Sequence, residues 1–156
     1  MKYFHIFLFM SLLSILLCGC SQEGARKTTT SQITEDSEEK SYNRMRLRMN
    51  GEVFELELAD NSTAKELLLI VPDRFTMRDL HQNEKYYDLP QSLLMHEEQV
   101  NRIEIGDVML YGKNTFVIFY QSFTTDYSYT RIGHIRAAEK LADQLGNDEV
   151  VVERVD

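Results

Sequence analysis

The chain of 156 residues has only two cysteines, Cys18 and Cys20, and no tryptophan. Everything after Cys20 therefore has neither a disulfide nor a free thiol, and must be held by its own core. Basic residues are also short: 17 Lys and Arg stand against 25 Asp and Glu, a formal charge of -8. An acidic chain without a basic stripe has no general attraction to phosphate backbones, so nucleic acid is excluded as a partner. No G-x-G-x-x-G or G-x-x-x-x-G-K run occurs, which removes the glycine-rich phosphate cradles. The one long apolar stretch, Ile6 to Leu17, falls short of the roughly 20 residues a spanning helix needs.

That stretch fits the apolar region of a secretory signal, with Lys2 ahead of it and Leu17-Cys18-Gly19-Cys20 behind. The ending resembles the bacterial lipobox, in which a small residue precedes a lipidated cysteine. Residues 1–19 are expected to be a signal peptide and Cys20 the lipidation site, placing an exported protein on the bacterial membrane. An uncleaved anchor or a plain signal peptide cut elsewhere are the alternatives. Two acyl chains at roughly 0.8 kcal/mol per buried CH2 make a durable anchor. Residues 20–44 then run through TTTSQ and EDSEEK, too polar to offset their ordering entropy, and read as a solvated tether.

Residues 45–156 carry the patterning of one compact domain. Met45, Leu47 and Met49 alternate with Arg46 and Arg48; Phe54, Leu56 and Leu58 alternate with Glu55 and Glu57. Asn50-Gly51 between them predicts a two-residue hairpin turn. The register then pairs 49 with 52, 47 with 54 and 45 with 56, and sets Arg46 against Glu55 and Arg44 against Glu57. Thr63 and Glu66 form a capping-box pattern ahead of Ala64, Leu67, Leu68 and Val71 at helical spacing, ended by Pro72. RFTMRDL and KYYDLP read as strands around a turn at HQNE. The stretch from Gln91 to Glu104 has no clear period and reads as a long connection. VMLY and TFVIFYQSF follow, and the apolar run Phe116 to Tyr120 predicts a strand covered on both faces. YSYTRIGHI is a further strand, Ala137 to Leu145 a second helix closed by Gly146, and Val150 to Val155 a last strand. About eight strands joined mostly by tight turns predict a mainly β fold: a closed eight-stranded barrel capped by two short helices.

The order NEKYYDLP, GDVMLYG, NTFVIFYQSF, YSYTRIGHI, AAEKLADQLG resembles the small bacterial cyclophilin-like proteins across essentially all of residues 45 to 155. The resemblance implies the same barrel, capped by two helices. Cyclophilins proper are prolyl isomerases whose arginine lies in a Phe-His-Arg stretch followed by Gln-Gly-Gly-Asp. Neither run occurs here and there is no tryptophan, so no catalytic residue carries over; fold alone does not carry activity.

Candidate site residues come from the strands. If YSYTRIGHI is one regular strand, Tyr127, Tyr129 and Arg131 share a face, while His134 takes the other. A bulge at Gly133 would undo that parity. Ser122, Asp126 and His134 supply the letters of a triad without a nucleophile elbow. His81, His96 and His134 sit on different elements, and His96-Glu97-Glu98 lacks ligand spacing, so no metal and no cofactor is expected. Tyrosines concentrate in the central strands. They serve as barrel packing with phenol tips at the rim, or line a shallow apolar groove for a peptide or small organic ligand. The binding candidates are Tyr86, Asp88, Tyr127, Tyr129 and Arg131. The expected function is a non-catalytic peptide or small-ligand binding module, with a divergent prolyl isomerase as the alternative.

Overall fold

Asn50 and Gly51 both have positive φ, 49° and 89°, which is what a tight hairpin turn between twisted strands requires. In the computed structural model, which describes residues 43–146 and 148–155, this turn joins β1 (Arg44–Met49) to β2 (Glu52–Leu58). β1 begins one residue ahead of the expected domain start. Leu47 faces Phe54, Met45 faces Leu56, Arg46 faces Glu55 and Arg44 faces Glu57, the register set by the turn. Arg44 reaches Glu55 diagonally at 3.3 Å, and Glu57 takes Arg136.

The remaining strands are β3 (Arg74–Leu80), β4 (Glu84–Asp88), β5 (Glu98–Gln99), β6 (Arg102–Ile103), β7 (Asp107–Tyr111), β8 (Thr115–Phe119), β9 (Phe123–Thr124), β10 (Ser128–Ile135) and β11 (Val150–Val155). Every pairing among them is antiparallel. The order β2-β1-β11-β3-β4-β8-β7-β10 closes through a β10–β2 ladder, giving a closed eight-stranded barrel. Inward side chains from all eight strands, Leu47, Leu56, Met77 and Ile118 among them, form one core.

Two short helices add to that core. α1 (Ser62–Ile70) contributes Leu67, and α2 (Leu141–Leu145) contributes Leu141 and Leu145. The capping box does not form. Asn61 is the N-cap, its Oδ1 accepting from Ala64 N at 2.8 Å, while the Thr63 hydroxyl is spent on Leu94 O at 2.8 Å. α1 stops at Val71, ahead of Pro72. The second predicted helix is split: a 3-10 turn over Ala138–Lys140 precedes α2, and Ala137 sits at φ 51°.

The connection from Gln91 to Glu104 is not structureless. β5 adds to β10 at Ser128 and Tyr129, and β6 pairs with β9. These short strands belong to a layer over one outer face of the barrel. Under it lies a second core of Ile103, Met109, Val117, Phe119 and Tyr129. That layer is why Phe116 to Tyr120 is buried throughout: alternate residues face the barrel interior and this outer core.

Candidate functional site

The outer face is assembled by period-two alternation across four strands. On β4, Glu84, Tyr86 and Asp88 point outward. Their partners on β8 are Phe119, Val117 and Thr115. On β7, Met109 and Tyr111 lie opposite Val117 and Thr115. Tyr127 and Tyr129 arrive from the start of β10. Where the covering layer stops short, a cavity of about 370 Å3 remains. Tyr86, Tyr111, Tyr127, Tyr129 and Phe123 wall it, with Val117 among them, and Asn83, Glu84, Asp88 and Thr115 supply polar atoms.

The rings support one another. Tyr111 meets Tyr127 edge-on at 5.9 Å and Tyr129 at 5.6 Å. Phe119 meets Tyr129 at 5.6 Å and Phe123 at 5.7 Å. These separations lie within the favourable range for aromatic pairs, worth about 0.5–1.5 kcal/mol each beyond area burial. The wall is therefore preformed.

The polar groups differ in how well they are satisfied. Asp88 accepts from Arg78 at 2.8 Å and from the Thr115 hydroxyl at 3.1 Å. The Arg78 guanidinium lies 4.6 Å from the Tyr86 ring centre. Glu84, by contrast, has no hydrogen bond or ion pair from any described side chain. Burial, with the Asp79 charge behind it, pushes its carboxyl up to about 7. Asn83 Oδ1 is buried and accepts nothing among the described residues. Burial and then the Glu84 charge push the Tyr129 phenol up to about 12, so it stays neutral.

A family model described as the cyclophilin-like family matches residues 47–153, the span of the barrel. The chain belongs to the cyclophilin-like family. Comparison with curated proteins returns no match.

Within this cyclophilin-like domain, Tyr86, Asp88, Tyr127 and Tyr129 line one cavity and Arg131 does not. Arg131 does share the outer face with Tyr129, since it lies opposite Met109. It turns instead to Asp107, at 3.3 Å. The regular-strand parity that separates Arg131 from His134 fails. The register of β10 on β7 shifts between Arg131 and Gly133, which returns His134 to the outer face. His134 Nδ1 then also lies 3.3 Å from Asp107 Oδ1, and Asp107 Oδ2 accepts from Glu104 N.

The triad letters do not assemble in the cyclophilin-like barrel. The Ser122 hydroxyl donates to Glu104 at 2.8 Å and accepts from Ile105 N at 3.0 Å, while His134 is held at Asp107. Among the described residues no group of three or more His, Cys, Asp or Glu could hold a metal ion. Cys20, the signal segment and the tether to residue 42 lie outside the described residues.

Two further positions were not singled out by sequence patterning. Glu84 reads as the end of the HQNE turn, yet it is two residues before Tyr86 and four before Asp88, so extending the alternation backwards finds it. Lys85 reads as a solvated strand residue, but it points into the barrel and is fully buried. Its ammonium donates to Asp79 at 2.8 Å, Gly146 O at 2.9 Å and Asp148 O at 2.6 Å. It holds the chain after α2 against the barrel, facing away from the cavity.

Proposed function

We propose that this cyclophilin-like domain is a non-catalytic binding module at the cell envelope, tethered through lipidated Cys20, and that its outer-face cavity receives a small organic ligand or a peptide side chain. The observation that carries the reading is the preformed aromatic cavity of about 370 Å3. Its volume is in the range of small-molecule sites, which are mostly apolar with a few placed polar groups. The Thr115 hydroxyl at its wall donates to Asp88 at 3.1 Å, but that carboxylate is held by Arg78 at 2.8 Å and is not free to act as a base.

The test uses the protein's own fluorophores. There is no tryptophan, and four of the eight tyrosines line the cavity. Screening fragments and short peptides against the full chain in a non-ionic detergent should give saturable changes in tyrosine emission, lost in Tyr127→Ala. Binding that survives Tyr127→Ala and Tyr86→Ala alike would remove the cavity from the reading. A protease-coupled prolyl assay on the same preparation is expected to show no rate above background; a rate above it would restore the isomerase. Cys20→Ala should release the protein from membranes, and retention would refute the lipid anchor.

A further inference from the structure

The charges around the cavity do not balance. Asp88 is matched by Arg78 at 2.8 Å. Lys85, next to Glu84 in sequence, points the other way and is engaged with Asp79 inside the barrel. Among the described residues no lysine or arginine side chain lines the cavity. Glu84 is therefore a carboxylate in an aromatic wall with no lysine or arginine opposite it, and His81, also at the wall, forms no ion pair with it. Asn83 Oδ1, in the same wall, is a second acceptor without a donor.

We propose that the cavity selects an organic cation bearing N–H donors, of the amidinium, guanidinium or primary ammonium class, held between Glu84 and the tyrosine rings. The proposal rests on the cavity being the ligand site and names what fills it. An unpaired buried acceptor costs free energy that a donor recovers, and a charge-assisted bond to a carboxylate is among the stronger ones. Tyrosine faces attract cations within about 6 Å, and Tyr86 already holds the Arg78 guanidinium on its ring at 4.6 Å. A neutral apolar ligand would leave both acceptors unmet. An anion would be set against Glu84.

Three probes of one shape separate these cases: benzamidine, benzamide and benzoate. Calorimetry is run on the full chain in non-ionic detergent at pH 8, above the value of about 7 reached by Glu84. Benzamidine should bind about tenfold or more tighter than benzamide, with no benzoate binding. Glu84→Gln keeps the shape of the side chain and should cancel the preference for benzamidine over benzamide. Methylguanidine and acetyl-Gly-Arg-Gly-amide then distinguish a free ligand from a peptide side chain: equal affinity marks the first, a tighter tripeptide the second, and both support a cation site.

Equal binding of benzamidine and benzamide, lost in Tyr127→Ala, would overturn the cation assignment and leave the cavity as the ligand site. Tighter benzoate would do the same. Absence of binding by all the probes overturns the cation assignment. The cavity reading then stands or falls separately on the fragment screen.

Discussion

A Cβ on Gly133 would lie 2.1 Å from the Glu57 carbonyl oxygen and 2.9 Å from Leu56 Cδ1. Gly133 is where β10 pairs with Leu58 of β2 and the barrel closes, so the backbones approach too closely for any side chain. Gly133→Ala should cost about 2–3 kcal/mol, as forced overpacking does, read as a lower midpoint in urea. Lys85 is the second sensitive residue. Lys85→Met removes the cation paired with the Asp79 carboxylate and the donor to two carbonyls, and should cost about 3–5 kcal/mol. Burial drives the Asp79 carboxyl up, but hydrogen bonds from Lys85, Tyr120 and Gln82 N outweigh it and the net displacement is downward. Its contribution is therefore present above the ordinary aspartate range and is lost as pH falls through the lowered folded value. Glu84 has the opposite sign. Its folded value of about 7 lies above the ordinary glutamate value of 4.5, so the folded state holds the extra proton between them and stability falls as pH rises across that window. Allowing for its partial exposure to solvent, Glu84→Gln should stabilise the protein by about 1 kcal/mol at pH 8 and by much less at pH 4. Thermal melts at the two pH values give the comparison.

At the scale of elements, the β1–β2 hairpin is fully legible in the sequence because its turn and its alternation are both local. The register at every pair from Arg44–Glu57 to Met49–Glu52 follows from Asn50-Gly51. The start of α1 is less legible. Asn61 and Thr63 are both capping residues by type, and the choice between them is made by tertiary contacts. Asn61 Nδ2 donates to Arg131 O at 2.8 Å, and Thr63 is drawn to Leu94 O. Asn61→Ala should therefore cost about 1–2 kcal/mol, while Glu66→Ala, which loses no capping box, should change the melting temperature little. The bulge in β10 was legible only as an option at Gly133. It depends on one strand passing from β7 to β2, which no local pattern encodes. The cavity was half legible. Tyr86, Asp88, Tyr127 and Tyr129 follow from alternation, whereas Glu84 is hidden in an apparent turn, and the covering layer that shapes the cavity comes from two-residue strands too short to show a period.

At the scale of the molecule, the barrel has an inner core shared by all eight strands and an outer core on one side only. That asymmetry gives the cyclophilin-like fold its cavity: the covering layer buries Phe119 and Tyr129 and leaves the rings of Tyr86, Tyr111 and Tyr127 around an open space. The Asp107–Arg131–His134 cluster lies elsewhere on the same face, which makes it the natural competitor for any ligand. The two are separated by one measurement, residue-resolved NMR of the labelled full chain titrated with its best-binding fragment. Saturable shifts are expected to concentrate at Tyr86, Tyr111, Tyr127 and Tyr129, with Arg131 and His134 unmoved. Saturable shifts at Asp107, Arg131 and His134 that leave the four tyrosines unmoved would contradict the cavity reading.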